Sequence, residues 1–210
     1  MQKNVCKICR RMGEKLFLKG DKCFSQKCPL LRKPYPPGKS PQWRRSQERL
    51  SEYGKELREA QKLKKIYDLR DKQFKKIIKE VLKKGKQENV SELLIKRIEK
   101  TLSNVVFRAG LAKSRRQAKQ LVSHGHFLLN GKRVDIPSIQ TKVGDEIKIR
   151  EGSLKKAYFR NILSLLKEEE IPSWLSFDKK THTLKVVREP KLEEIGVKID
   201  IPLIISFYSR

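Results

Sequence analysis

Long apolar stretches and several enzyme motifs are missing from this chain of 210 residues. No stretch approaches the roughly twenty apolar residues of a membrane span, and the opening residues MQKNVCKICRR lack the apolar core of a signal peptide. We therefore expect an intracellular protein. A G-x-x-x-x-G-K-[ST] phosphate loop, a paired-carboxylate site and a nucleophile–histidine arrangement are also missing, so nothing in the sequence indicates an enzyme.

Acidic residues are scarce relative to basic ones. Lysine and arginine number 51 against 24 aspartates and glutamates, which gives a formal net charge of +27. A protein with so much self-repulsion is expected to have a polyanionic partner. Nucleic acid is the first candidate, because phosphates neutralised by basic side chains release counterions and stabilise the complex. An anionic membrane surface is the second candidate.

Cysteine is rare, and all four cysteines lie within the first thirty residues. Their spacing is C-x-x-C, thirteen residues, then C-x-x-x-x-C, and two close pairs joined by a loop are typical of a tetrahedral thiolate site. The predicted ligands of one structural Zn²⁺ are Cys6, Cys9, Cys23 and Cys28. Four ordinary free cysteines, or an iron–sulfur or redox site, are the alternatives. Arg10 and Arg11 belong to the basic residues of this segment, which we expect to face phosphate.

The order of breaks and periodic segments predicts an α+β fold. Leu50, Tyr53, Leu57 and Ala60 recur at spacings of three and four, which indicates a helix face. The predicted domains are a zinc-binding basic segment with its connector at 1–45, a helical domain at 46–90, a small module of two helices and a sheet at 91–159, and a helix with strands at 160–210. We expect 160–210 to pack on or near the helical domain, with a C-terminal strand docked on the body.

The clearest local signals lie within residues 104–150. Ser114 and Gln117 form a capping box that begins a helix, and Gly125 ends it. The dipeptide Asn130-Gly131 is typical of a two-residue hairpin turn. These signals predict two short helices against a small sheet.

Positive charge is concentrated in the same region, with nine basic residues and one acid between Arg97 and Arg133. Some of the basic residues follow the start of the capped helix, where the helix dipole and free amide groups favour anions. His124 either joins this surface or packs beside the helix end. The candidate RNA contacts of the module are Arg115, Arg116, Lys119, His124, Lys132 and Arg133.

The stretch SRRQAKQLVSHGHFLLNGKRV resembles the small RNA-binding module named after ribosomal protein S4. That module also occurs in pseudouridine synthases, tyrosyl-tRNA synthetases and a ribosome-binding heat-shock protein. The segments CKICRRMGEKLFLKG, KPYPPG, RLSEYGKELREAQKLKKIY and FYSR extend the similarity to nearly the whole chain. The chain therefore resembles the bacterial family of small-subunit ribosomal protein S4, in its zinc-bearing type.

This resemblance implies a cytoplasmic structural constituent of the small ribosomal subunit, with no enzymatic activity and no membrane partner. It implies binding to the 5′ domain of 16S rRNA at a multi-helix junction, nucleation of subunit assembly, and contact with ribosomal protein five of the same subunit. It also implies a part in the channel through which mRNA enters and in translational accuracy. Arg44, Arg45 and Arg49 are the nearest matches to the family's channel-lining residues. The alternatives are an RNA-modifying enzyme and a zinc-dependent DNA-binding regulator that carry the same module.

Overall fold

A computed structural model of the chain describes five stretches, residues 5–38, 50–85, 89–166, 171–196 and 199–209. The fold divides into two units, one formed by residues 1–91 with 197–210 and the other by residues 92–196. Within the five stretches, every helix is too short or too polar to cross a membrane.

The first unit is built from helices. They are α1 (Cys6–Met12), α2 (Asp21–Phe24), α3 (Pro29–Arg32), α4 (Glu52–Ile66), α5 (Asp71–Lys84) and α11 (Ile201–Ser209). Two polar contacts hold the short N-terminal helices to α4. The Arg58 guanidinium donates a hydrogen bond to the carbonyl of Met12, and Lys62 Nζ lies 2.7 Å from Glu14 Oε2.

The C-terminal segment is helical at Ile201–Ser209, so the predicted C-terminal strand is wrong. An apolar run of this length does not distinguish a strand from a buried helix by its periodicity. Here α11 packs along α4, where Ser206 Oγ donates a hydrogen bond to Glu56 Oε1 at 2.9 Å. The rings of Tyr53 and Phe207 are 5.5 Å apart, and this contact with α4 provides the apolar surface that the helix buries.

The second unit combines helices with one antiparallel sheet. Its helices are α6 (Val90–Glu99, which begins at the unit boundary), α7 (Leu102–Arg108), α8 (Arg115–Ser123), α9 (Glu151–Leu154), α10 (Ala157–Leu165) and a 3₁₀ turn (Leu192–Ile195). Its strands are β1 (Phe127–Leu129), β2 (Lys132–Val134), β3 (Glu146–Ile149), β4 (Leu175–Asp178) and β5 (Thr183–Val186). The strand order is β2-β1-β3-β5-β4, so the hairpin β4–β5 extends the sheet of the module.

Two predicted turn signals are confirmed. Ser114 Oγ accepts a hydrogen bond from the amide of Gln117 at 3.3 Å, and α8 begins at the next residue. Asn130 and Gly131 both have positive φ, 49° and 79°, as a type I′ hairpin turn requires. Because β1 and β2 pair in this register, Arg133 lies opposite Leu128.

Residues 160–210 were predicted to pack on or near the helical domain, but the two strands within them, at 175–186, lie in the second unit. Strand β5 pairs with β3, whose outer edge would otherwise be unpaired. Trp174 precedes β4 and is buried in the core that the helices and the sheet share. Residues 160–210 are therefore divided between the two units, and α11 belongs to the first.

Candidate nucleic-acid interface

Arg115 lies on the inner side of α8. It shares a helix face with the fully buried Ala118 and Val122, three and seven residues later. Its guanidinium lies 4.5 Å from the centre of the Phe107 ring, and its Nη2 is 3.5 Å from Glu99 Oε1. This geometry gives Arg115 a structural role, and its predicted contact with RNA stays a prediction.

Arg116 lies away from that inner face, whereas Lys119, four residues after Arg115, lies at its edge, and both are partly exposed. The first turn of α8 is capped by side chains, because Ser114 accepts from the amide of Gln117 and Gln117 Oε1 accepts from the amide of Lys113 at 3.0 Å. A phosphate at this end would therefore depend on the Arg116 and Lys119 side chains more than on those two amides.

The end of α8 and the β1–β2 hairpin come together at Gly125. This glycine has φ of 67°, and a Cβ there would lie 2.6 Å from Arg133 Nε. Gly125 is thus required both for its left-handed backbone and for the close approach of the arginine. The structure places Arg133 against Gly125, which follows the exposed His124 in the chain, while Lys132 is exposed on the same strand.

His126 is the buried centre of a group of basic residues. Its Nδ1 lies 2.9 Å from Ser153 Oγ, and its ring is 6.0 Å from that of His124. Burial lowers the pKa of His126, and the positive charges of Lys156, His124 and Arg150 lower it further. Together with Arg133 at Gly125, these residues define the His126 basic cluster, whose members are His124, Arg133, Arg150 and Lys156.

The sequence does not mark Arg150 and Lys156 as part of this surface, because both lie beyond the basic stretch that ends at Arg133 and the chain is nearly neutral from Glu151 onward. The backbone provides the reason for their position. The amide of Arg150 donates to the carbonyl of His126 at 3.0 Å, so the end of β3 lies beside the start of β1. The register of three strands, which the sequence alone does not fix, therefore brings these cations to the end of α8.

In the first unit, Arg10 is engaged within the protein. Its Nε donates to the carbonyls of Lys33 and Tyr35, each at 2.9 Å, and its guanidinium lies 5.0 Å from the centre of the Tyr35 ring. It therefore holds the segment after α3 against α1. Arg11 is exposed. Three further predicted contacts, Arg44, Arg45 and Arg49, lie outside the described residues.

The outer face of α5 carries a stripe of exposed lysines. Its members are Lys72, Lys75, Lys76, Lys79 and Lys83. The opposite face is apolar and buried, with Phe74, Ile77, Ile78 and Val81. The stripe follows the helix for about 16 Å, at 1.5 Å per residue, and concentrates positive charge along one line.

The four cysteines lie within or next to the three short helices: Cys6 and Cys9 in α1, Cys23 in α2, and Cys28 just before α3. Cys9, Cys23 and Cys28 are buried and Cys6 is partly buried. The amide of Lys19 donates to Cys23 Sγ at 3.3 Å, and the amide of Leu16 donates to Cys9. Burial raises the pKa of the Cys9 thiol, the hydrogen bond from the Leu16 amide lowers it, and electrostatic interaction with the other three cysteines raises it further, so all four sulfurs lie in one neighbourhood.

This donor set matches zinc in chemistry, because soft thiolates that accept backbone N–H bonds suit structural Zn²⁺. In the part of the chain that the structure describes, no three cysteine, histidine, aspartate or glutamate side chains are close enough together to hold a metal ion. The four thiols thus lie near one another without surrounding a common point.

Sequence profiles of two families together cover residues 1–147. Residues 1–99 match the profile described as the ribosomal protein S4/S9 N-terminal domain, and residues 100–147 match that of the S4 domain. A relative from Dictyoglomus turgidum, named small ribosomal subunit protein uS4, is 45% identical over 205 residues, which cover 98% of this chain and 96% of the relative. The chain belongs to the uS4 family.

Other uS4 relatives are similar over the same length. The protein of Thermus thermophilus is 43% identical over 206 residues, covering 98% of this chain and 97% of its own. The protein of Syntrophomonas wolfei is 42% identical over 207 residues, covering 99% and 97%. The profile of the S4 domain covers α7, α8 and the β1–β2 hairpin, so part of the His126 basic cluster lies in the S4 domain.

Proposed function

We propose that this protein is a structural constituent of the small ribosomal subunit and binds 16S rRNA directly in the cytoplasm. The observation that carries this proposal is the His126 basic cluster, within a chain similar to uS4 over nearly its whole length. The relatives are ribosomal proteins and not enzymes, which argues against an RNA-modifying enzyme that carries the same module.

The mode of binding follows from the chemistry of the exposed side chains. Lysine, arginine and histidine side chains contact phosphates, which position a protein on RNA without reading its sequence. A-form helices hide their base edges in a deep groove, so such a surface recognises the shape of folded RNA. The His126 basic cluster in one unit and the α5 stripe in the other supply two separate phosphate contacts. Because both surfaces belong to one chain, binding of one surface to the RNA raises the effective concentration of the other at its own site.

A finer assignment rests on the family resemblance. The target is the 5′ domain of 16S rRNA at a multi-helix junction, where early binding nucleates assembly of the subunit. Ribosomal protein five of the same subunit and the incoming mRNA are further partners. Contact with the mRNA channel, and through it translational accuracy, is assigned to the segment that contains Arg44, Arg45 and Arg49.

The same proposal includes one structural Zn²⁺ bound by Cys6, Cys9, Cys23 and Cys28. Its support is the burial of three of these cysteines, the amide donors at two sulfurs, and the mutual electrostatic effect of the four. When bound, the metal supplies cross-links for a segment too small to bury a core of its own. The protein supplies the thiolates and the Lys19 and Leu16 amides that orient two of them.

Competition binding tests the proposal. A labelled transcript of the 5′ domain of 16S rRNA is mixed with the protein at moderate salt, and tRNA and duplex DNA are added in excess. The complex should survive both competitors. Loss of the complex to tRNA would leave a generic polycation and contradict a ribosomal role, and preferential loss to duplex DNA would favour a DNA-binding regulator.

A further inference from the structure

Two phenylalanine rings lie together on the surface of the cysteine-containing segment. Phe17 is 46% exposed and Phe24 is 74% exposed. Their ring centres are 5.0 Å apart and their planes are tilted by 30°, which is within the range of offset aromatic pairs. A large apolar side chain this exposed contributes little to folding, so the pair calls for another explanation.

The residue before each ring in the chain is buried in the interior of the segment. Leu16 and Cys23, which precede Phe17 and Phe24 in sequence, are 6% and 7% exposed. Phe17 also has φ of 50°, a left-handed conformation that bulky residues rarely adopt. Outliers of this kind concentrate at binding sites, and here the unusual backbone accompanies a ring that faces solvent.

The charges around the rings identify the kind of partner. Lys19, Lys22 and Lys27 are exposed on the same short segment. Of the acids in this segment, Glu14 is already paired with Lys62 at 2.7 Å, and Asp21 at the start of α2 leaves the three lysines in excess. An exposed aromatic pair bordered by lysines matches a single-stranded nucleic acid, in which bases have apolar faces and phosphates carry negative charge.

We propose that Phe17 and Phe24 form a stacking platform for an unpaired base of 16S rRNA, with the neighbouring lysines on its flanking phosphates. This inference rests on the proposed function and adds a base contact to a surface otherwise made of phosphate contacts. An unpaired base fits better than a duplex, because bases in A-form RNA are stacked on each other and their faces are not accessible.

Stacking and phosphate contact respond differently to salt, and this difference provides the test. In the full chain, Phe24→Ala should weaken binding to the 5′-domain transcript by about 5- to 150-fold, the range of one base–aromatic stack. The slope of log affinity against log salt should not change, because no phosphate contact is removed. Phe24→Tyr keeps a ring and should retain most of the affinity.

Leu31 provides the matched control, since it is 54% exposed in the same segment and is not aromatic. Leu31→Ala should bind as tightly as the parent protein. Chemical probing of the transcript should then show one unpaired base whose reactivity is lowered by the parent protein and restored with Phe24→Ala.

Three results would overturn the platform. They are unchanged affinity of Phe24→Ala, an equal loss in Leu31→Ala, and a loss in Phe24→Ala that Phe24→Tyr does not rescue. In each case the parent protein still binds the transcript selectively, so the proposed function stands. Failure of the parent protein to bind selectively would instead overturn the proposed function, and the assignment of the platform to rRNA with it.

Discussion

Glu99 and Arg108 form a buried, two-point ion pair in the second unit. The Glu99 carboxylate is fully buried and accepts hydrogen bonds from Arg108 Nε at 3.0 Å and Nη2 at 2.6 Å. Arg115 reaches the same carboxylate at 3.5 Å. One carboxylate at the end of α6 thus pairs with an arginine of α7 and with another at the start of α8. This pairing fixes the helix that carries Arg116 and Lys119.

Neutralising this acid should destabilise the second unit. Glu99→Gln leaves two largely buried guanidinium groups without their counter-charge, and breaking one side of a buried pair costs about 3–5 kcal/mol. The measurement is chemical denaturation of the second unit, followed by tryptophan fluorescence because Trp174 lies in its core. Glu92→Gln is the control. Glu92 is exposed and 3.9 Å from Lys96, so the change should cost less than about 1 kcal/mol.

The exposed end of the hairpin should contribute to RNA affinity without contributing to stability. The double change Lys132→Ala and Arg133→Ala removes two cations from the surface beside Gly125. The salt slope of binding should fall by up to about two units, since each phosphate contact contributes roughly 0.7–0.9. Lys180→Ala with Lys191→Ala removes the same charge elsewhere and should leave the slope unchanged. Equal salt slopes for the two double variants would show that the hairpin does not contact the RNA.

The local elements of the module follow from the sequence, because their signals are short-range. The Ser114–Gln117 cap and the Asn130–Gly131 turn each depend on residues that are close in the chain, and both are present in the structure. The inner position of Arg115 could also be predicted from the sequence. It precedes Ala118 and Val122 at helical spacing, but its charge led to a surface assignment.

Long-range pairing is what the sequence did not reveal. The His126 basic cluster needs the registers of β1, β2 and β3, and α11 needs the surface of α4 against which it packs. Neither partner is marked by local residue types. An apolar segment takes its conformation from the surface that it covers, and for this reason the C-terminal helix was predicted as a strand.

The exposed charge of the α5 stripe can be reduced without changing the buried apolar face of the helix. Lys75→Gln with Lys79→Gln removes two exposed cations while Phe74 and Ile78 remain buried, so stability should change by less than about 0.5 kcal/mol. If the stripe contacts rRNA, the salt slope falls by up to about two units. The control is Lys180→Gln with Lys191→Gln. A salt slope equal to that of the control would show that these lysines form a solvated helix face and do not contact RNA.

Zinc removal should act on the first unit alone. The protein is expected to release one zinc per chain to a strong chelator, after which the segment around the cysteines becomes sensitive to protease and rRNA binding weakens. The second unit has its own core and should remain protected. Cys9→Ser should lower the zinc content, and Ser25→Ala in the same segment should not. Protection of residues 5–33 that survives chelation would contradict a structural metal.

The buried His126 should make the second unit less stable in mild acid. Burial, with the charges of Lys156, His124 and Arg150, lowers its folded pKa below the ordinary value of 6.5. Above that value His126 is neutral in both states. As pH falls through about 6.5, the unfolded chain binds a proton that the folded one does not, so the free energy of unfolding decreases until the folded pKa is reached.

Denaturation of the second unit at several values between about pH 7.5 and 5.5 measures this decrease, above the range in which ordinary carboxylates titrate. His126→Gln should flatten it, because glutamine can still bond to Ser153 Oγ but takes up no proton. His124→Gln should keep the decrease, since His126 stays buried, although with one positive neighbour fewer its folded pKa moves toward 6.5. An unchanged pH dependence in His126→Gln would assign the effect to another group, because the proton linkage belongs to the residue that changes its pKa on folding.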